Sequence, residues 1–445
     1  VGVSHRGRRT PGIKQCEWDR DDLIRRVCHA LDVARPAVER LGSAGYTDPE
    51  EPANNIPPEK VVTETALLLF IASRVAFLDE IGVRIQDVAK QLIPHARSER
   101  VLTGICTYPA LAFDYAQAHV LLSALGYRDA EFDSLLEHSL VSQAAFGRER
   151  PPHRVLEREW IRDIWMTSGK GPRRLCSSMA RQSILGHPID IFNSSRDDGY
   201  AFTHVLMYIT NLGIHASRLP RARESILAEA EGALAGCLDD QDYDLGGEFL
   251  FAWPLTGASW SAAAVFAFRV LARVEDEAGF LPASSTRLDR LKKLEGTERS
   301  NYLFATAYHT AFVMGVLCSA ALLPGRTPPL RIAARNRIHG IANKILPYVE
   351  LAPSGPHWQH DFDQLDETER DAIGPLLLAV ALRRNIRGRQ FRATWDLLKI
   401  AYDHHIADSP AASQAAEILE RFAALAAFQR GKSATHSINS APAPF

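Results

Sequence analysis

Several histidines stand at the beginnings of apolar stretches. Asp114-Tyr115-Ala-Gln-Ala-His119 opens one that ends at Gly126, and Asp198-Gly199-Tyr200-Ala-Phe-Thr203-His204 opens another that ends at Gly213. Asp242-Tyr243-Asp244-Leu-Gly-Gly-Glu248 opens a third, and Tyr308-His309-Thr310 lies within a fourth that runs to Gly325. On a helix, Tyr115 with His119 and Tyr200 with His204 are i,i+4 pairs, one turn apart on one face. A tyrosine hydroxyl donates a hydrogen bond, and an imidazole serves as acid, base or metal ligand. If these starts meet, His204, Glu248 and His309 form a catalytic group with His119 beside them. Glu248 is then the base or a ligand, and the histidines are ligands or proton carriers. Tyr115, Tyr200, Asp244 and Trp253 are the expected substrate contacts, with Phe251 and Tyr208 adding aromatic lining.

Three imidazoles and a carboxylate, His119, His204, His309 and Glu248, would also suit zinc or non-haem iron, and Mg²⁺ less well. No H-E-x-x-H or E-x-x-H motif accompanies them. A histidine on an apolar helix is also commonly a core residue satisfied by a neighbouring polar group. Metal binding, metal-free proton transfer and core packing all remain open at this level.

Other polar clusters read more plainly. Asp239-Asp240-Gln-Asp242-Tyr-Asp244 has neither the D-D-x-x-D nor the D-x-D-D pattern of isoprenoid enzymes, and its aspartates suit helix capping. Glu157-Arg-Glu159-Trp160-Ile-Arg-Asp163 places Glu159 and Asp163 on one face of an amphipathic helix. His357 and His360 fall in a loop-like region, and Arg383-Arg384 on an expected solvated face.

The elements that carry these residues read as helices throughout. Nearly charge-free helices at 111–125, 200–212, 246–254 and 302–323 interleave with amphipathic ones at 129–146, 220–236, 257–277, 331–346, 373–385 and 411–428, and alternating apolar–polar runs are short. A helix apolar all round is buried, and one with a charged stripe faces water. Paired inner and outer helices of this kind predict an all-α chain arranged as an α/α toroid or a related array. In a toroid the N-terminal ends of the inner helices gather at one mouth, where their dipoles favour a polar ligand. The expected divisions are a disordered 1–19, a helical extension over 20–102, a toroid-like domain over 103–430 and a disordered tail over 431–445.

Composition narrows the function. With 51 Lys+Arg against 53 Asp+Glu in 445 residues, the chain has no basic excess for nucleic acid. Six scattered cysteines without a C-x-x-C pair suggest reduced thiols. Phe249–Phe268 and Asn301–Gly325 lack charge, but internal turn residues and polar side chains make them buried helices rather than membrane spans. The first residues lack the apolar run of a secretory signal, which predicts a cytoplasmic protein. Glycine-rich nucleotide loops and the nucleophile elbow are absent.

Tyr200-Ala-Phe-Thr203-His204 with Gly213, Tyr243-Asp-Leu-Gly-Gly-Glu248, and Tyr308-His309-Thr310 together resemble a family of uncharacterised actinobacterial all-helical proteins, over roughly residues 100–325. The family is known as a domain of unknown function, with some members encoded near specialised-metabolite genes. The resemblance implies a helical fold and a bacterial cytoplasmic setting, and it supplies no reaction. The expectation is therefore an enzyme of bacterial specialised metabolism, with cyclisation the first subclass to test, acting on a small-molecule or peptidic substrate in a central cavity. The alternative is a non-catalytic scaffold or carrier.

Overall fold

Apolar side chains at helical spacing, broken by glycine, proline and capping residues, make this chain all-α. The computed structural model describes residues 19–48, 50–167, 177–214, 218–333, 340–349 and 355–439. Among them there is no strand, only an isolated bridge between Tyr46 and Ile56. The helices are α1 (Arg20–Glu39), α2 (Pro58–Ala72), α3 (Asp79–Ala96), α4 (Glu99–Thr107), α5 (Ala112–Ala124), α6 (Ala130–Leu140), α7 (Pro152–Met166), α8 (Ser177–Gln182), α9 (Arg196–Ile209), α10 (Arg223–Asp239) and α11 (Tyr243–Leu250). Then come α12 (Ala252–Thr256), α13 (Ala262–Ala278), α14 (Leu288–Leu291), α15 (Gly296–Thr306), α16 (Tyr308–Ala321), α17 (Ile341–Ile345), α18 (Trp358–Asp363), α19 (Glu367–Ala372), α20 (Gly374–Arg387), α21 (Phe391–Asp403) and α22 (Pro410–Asn439).

Local chemistry sets several of these boundaries. Asp19 caps α1 by accepting from the Asp22 amide, and Ser195 and Asp198 close a reciprocal capping box at the start of α9. Asp242 caps α11 in the same sense, as its sequence position suggests. Pro94 does not end its helix; it sits in the last turn of α3, which continues to Ala96. The apolar run expected over 302–323 is two helices, α15 and α16, bent by 56° around Ala307. By length and composition this bent pair alone passes as a candidate span, and no single described helix is long and apolar enough to cross a membrane. All of α16 except His309 is buried.

Packing runs in a closed sequence. Helix α2 packs on α5, α5 on α7, α7 on α9, α9 on α11, α11 on α16, and α16 back on α2. Two glycines permit close approaches in that circuit: a Cβ at Gly199 would lie 2.8 Å from Leu245, and one at Gly247 would lie 2.6 Å from Val313. Other helices lie behind these six: α1 against α16, α3 against α2 and α5, α4 and α6 against α5, and α10 and α13 against α11. The segment over 20–102, expected as an extension, thus joins the same packing through α1 and α2. Buried Arg26 of α1 ties it to α13 by pairing with Glu275 and with Asp276 at 2.9 Å.

The C-terminal helices add an outer layer. Arg383 and Arg384 are not on a solvated face, because they pair with Asp240 and Asp239 at the end of α10. Helix α22 extends to Asn439, into the segment expected as a tail, while 440–445 lie outside the described residues, as do 1–18 of the expected N-terminal tail.

Candidate functional site at the helix N-terminal ends

A cavity of about 920 Å³ opens at the N-terminal turns of α2, α5, α7 and α16, along one face of α9 and against the last turn of α11. Each contributes: Glu59, Lys60 and Glu64 from α2, Asp114 and Gln117 from α5, His153, Arg154 and Glu157 from α7, Tyr200, His204 and Tyr208 from α9, Glu248 from α11, and His309 from α16. Residues 197, 200, 201, 204, 207 and 208 of α9 all line it, the stripe that a 3.6-residue period makes on one face.

His204, Glu248 and His309 meet across three helices. His204 Nε2 lies 3.5 Å from Glu248 Oε2, and His309 Nε2 lies 3.8 Å from Glu248 Oε1. Thr203 donates its hydroxyl to Glu248 Oε2, which fixes the carboxylate from the neighbouring helix. His309 Nδ1 faces Glu64 Oε2 at 3.0 Å, and its Nε2 faces Asp244 Oδ1 at 3.3 Å. Tyr308 donates to the same Glu64 oxygen at 2.6 Å. Tyr200 donates to Asp244 Oδ2 at 2.6 Å and accepts from Arg196 at 2.7 Å. On the far wall Tyr208 donates to Glu157 at 2.8 Å, and Arg154 pairs with Glu157 at 2.7 Å.

The electrostatics follow from this alternation of carboxylates and imidazoles. Burial by itself would depress His309, but Glu64 and Asp244 on either side of the ring reverse that and raise it to about 10. Burial would raise Glu64, and the His309 cation with Lys60 instead holds it down to about 2. Burial opposes charge on His204 too, yet Glu248 and then Glu157 raise it above the ordinary histidine value. Glu248 is lowered against its burial by His204 and His309. His153, desolvated and next to Arg154, is lowered. The site therefore holds ionised carboxylates, an imidazolium at His309 and a second imidazole, His204, whose hold on a proton is strengthened by Glu248.

The match to the sequence expectation is uneven. Asp244 lies just behind the lining, bound to His309 and Tyr200. His119 is elsewhere: fully buried, its ring stacks on Phe132 with centroids 3.9 Å apart. Arg97 donates to its Nδ1 at 3.1 Å, so Nε2 carries the proton and donates to Asp133 at 3.1 Å. Tyr115 also misses the cavity and lies over Gly104 of α4, beside Tyr108. The reason is helical phase. Helix α5 presents Asp114 and Gln117 inward, which turns positions 115 and 119 outward. Trp253 is buried against Trp260 and does not line the cavity, whereas Phe251 and Tyr208 do.

The four expected metal ligands are therefore not one set. Of the three that meet, His309 has a carboxylate facing each ring nitrogen, Glu64 at Nδ1 and Asp244 at Nε2. Among the described residues no group of three or more His, Cys, Asp or Glu is arranged to hold a metal. His357 is likewise engaged, its Nδ1 2.7 Å from the Tyr243 hydroxyl.

This chain belongs to the family described as a domain of unknown function (DUF6895). The family model matches residues 28–319, from within α1 to most of α16, and so reaches every helix of the circuit. The match begins well before the stretch of roughly 100–325 that carried the sequence resemblance, consistent with α2 supplying Glu64. No curated protein and no solved structure matches the chain significantly.

The family's matched region also holds the residues that motif reading missed. Glu64 is the one charge between Val61 and Ala72 of an otherwise apolar, buried helix, and that isolation was its signal. Glu157, Arg154 and His153 sit in a helix whose many charges masked the few that point inward. On that helix Glu159 pairs with Arg162 at 2.6 Å, away from the cavity lining.

Proposed function

We propose that the six inner helices close into an α/α toroid whose N-terminal mouth is the active site of an acid–base enzyme. The reading places it in the bacterial cytoplasm, in specialised metabolism, acting on a small-molecule or peptidic substrate. The observation that carries the proposal is the His204–Glu248 pair at the cavity wall, with the His309 cation beside it. Glu248, held by Thr203, orients the His204 ring through Nε2 and leaves Nδ1 for the substrate. A carboxylate that fixes the tautomer and supports the imidazolium is the arrangement by which histidine takes and returns a proton. His309, charged across the neutral range, would stabilise negative charge that develops on substrate oxygen. Glu64 and Asp244 hold it in place.

Cyclisation or another skeletal rearrangement is the subclass favoured, since apolar side chains line the deeper part of the same cavity and would shield a reactive intermediate from water. The donor chemistry of the site supports proton transfer without a metal. The test is genetic and chemical together. A producing strain lacking the gene is complemented with the wild type or with the double variant His204→Ala, Glu248→Gln, and the extracted metabolites are compared. Loss of a product in the variant supports the enzyme. Full output with the variant overturns it and favours a carrier. Stoichiometric zinc or iron in the purified protein would overturn the metal-free form of the mechanism.

A further inference from the structure

Going deeper along the inner helices, the cavity changes character at one level. On α2 the lining passes from Glu59, Lys60 and Glu64 to Leu67; on α16 it passes from His309 to Phe312, Val313 and Val316. On α9 it reaches Met207 after His204, and just past the end of α11 it reaches Phe251 after Glu248. The lining along α2 and α16, and from the end of α11 to Phe251, thus turns from ionic to apolar, while α9 keeps the Tyr208 hydroxyl, bonded to Glu157, beside Met207. At 1.5 Å per residue, His309 to Val316 spans about 10 Å of depth. Water held against such a wall would lack the two to four polar partners that an ordered water needs. An apolar group placed there loses nothing and leaves water.

Charge in the tier above is internally matched. Glu64 and Asp244 flank His309, Asp244 also pairs with Arg196 at 3.2 Å, Glu157 pairs with Arg154, and Glu248 faces His204, so each of these four carboxylates already has a basic partner. A charged group brought into this tier would have to break one of these pairs or remain unmatched after losing its water, and both are costly. An uncharged head with a donor or acceptor meets no such penalty.

We infer that the cavity takes an uncharged amphiphile, an apolar body about 10 Å long seated toward Val316 with a neutral hydroxyl, carbonyl or amide head at His204 and Glu248. This rests on the cavity being the substrate site proposed above, and it names the class of molecule.

The test uses the full chain and simple probes. Binding of hexanamide, 1-hexanol, hexylammonium, hexanoate and acetamide is measured by calorimetry, with thermal shift as a parallel readout. The expected result is that hexanamide and hexanol bind roughly tenfold or more tighter than acetamide, and likewise tighter than either charged six-carbon probe. Val316→Phe, which fills the depth, removes the advantage of hexanamide over acetamide. Should that variant not fold, the chain-length and charge series on the wild type decides alone. Equal binding of acetamide and hexanamide, tighter binding of hexylammonium or hexanoate, or no binding by any six-carbon probe overturns the inference. Hexanamide binding to the His204→Ala, Glu248→Gln variant separates the two proposals: retained chain-length dependence with full metabolite output leaves the ligand class standing and the enzyme fallen.

Discussion

Two helices carry the same short pattern, a tyrosine followed four residues later by a histidine, and the fold uses them in opposite ways. In α9, Tyr200 and His204 face the cavity, about a quarter of the His204 side chain is exposed, and Glu248 raises its affinity for a proton. In α5, His119 is sealed against Phe132, burial lowers its proton affinity, and Arg97 and Asp133 consume both ring nitrogens. Each histidine has a carboxylate partner. The difference lies in what else the ring can reach: a cavity in one case and a packed wall in the other. An i,i+4 spacing states that two side chains share a face, and it says nothing of where that face points.

The contrast can be broken most forcefully at the two histidines. Replacing His204 by Ala should cut catalytic output by about 10²–10⁴-fold, the usual contribution of a positioned acid–base group, with a small change in melting temperature. Replacing His119 by Ala should do the reverse. It leaves the Arg97 guanidinium and Asp133 without their shared partner and should cost about 2–3 kcal/mol in denaturant unfolding, with output per folded molecule unchanged. If His119→Ala abolishes output at full stability, the contrast fails.

A pH titration of stability sharpens the same distinction at His309. Its ring titrates at about 10 in the fold against an ordinary 6.5, so its stabilisation is complete below pH 6.5 and is lost as pH rises toward 10. Glu64 titrates at about 2 against an ordinary 4.5, so its share is complete above pH 4.5 and is lost as pH falls toward 2. These are two limbs of one interaction, which is at full strength between pH 4.5 and 6.5. His309→Gln should flatten the alkaline limb in urea titrations, and an unchanged limb would remove the imidazolium from the account. The smallest effect is expected at the tyrosines. Tyr200→Phe deletes the bond to Asp244 and should cost about 1 kcal/mol, whereas Tyr115→Phe should stay within about 0.5 kcal/mol.

The two ends of the inner helices differ as well, in the sense that their dipoles require. Carboxylates such as Glu59, Asp114, Asp197 and Asp198 gather in first turns at the mouth. Near the other end Arg74 donates to the Asn211 carbonyl at 3.2 Å and Arg326 to the Pro254 carbonyl at 2.7 Å. Among the described residues neither arginine has a carboxylate partner, and burial together with Arg326 lowers Arg74 to about 9. Carbonyl groups, rather than acids, answer these two cations.

Much of this was legible without coordinates. Apolar periodicity and missing alternation specify helices because a helix satisfies its own backbone and leaves only a face to be buried. The recurring starts pointed to Tyr200, His204, Asp244, Glu248 and His309, which do come together. Capping aspartates at 198 and 242 follow from local geometry alone. What the linear pattern did not hold was the phase of α5, the inward turn of Glu157 on a helix crowded with charge, and the reach of Glu64 from α2 to His309, 245 positions away. Backbone periodicity is a short-range property, decided within a few residues of each atom. Which imidazole faces a cavity and which becomes packing depends on the rotation of each helix against its neighbours, and only the summed burial of the whole assembly sets that rotation.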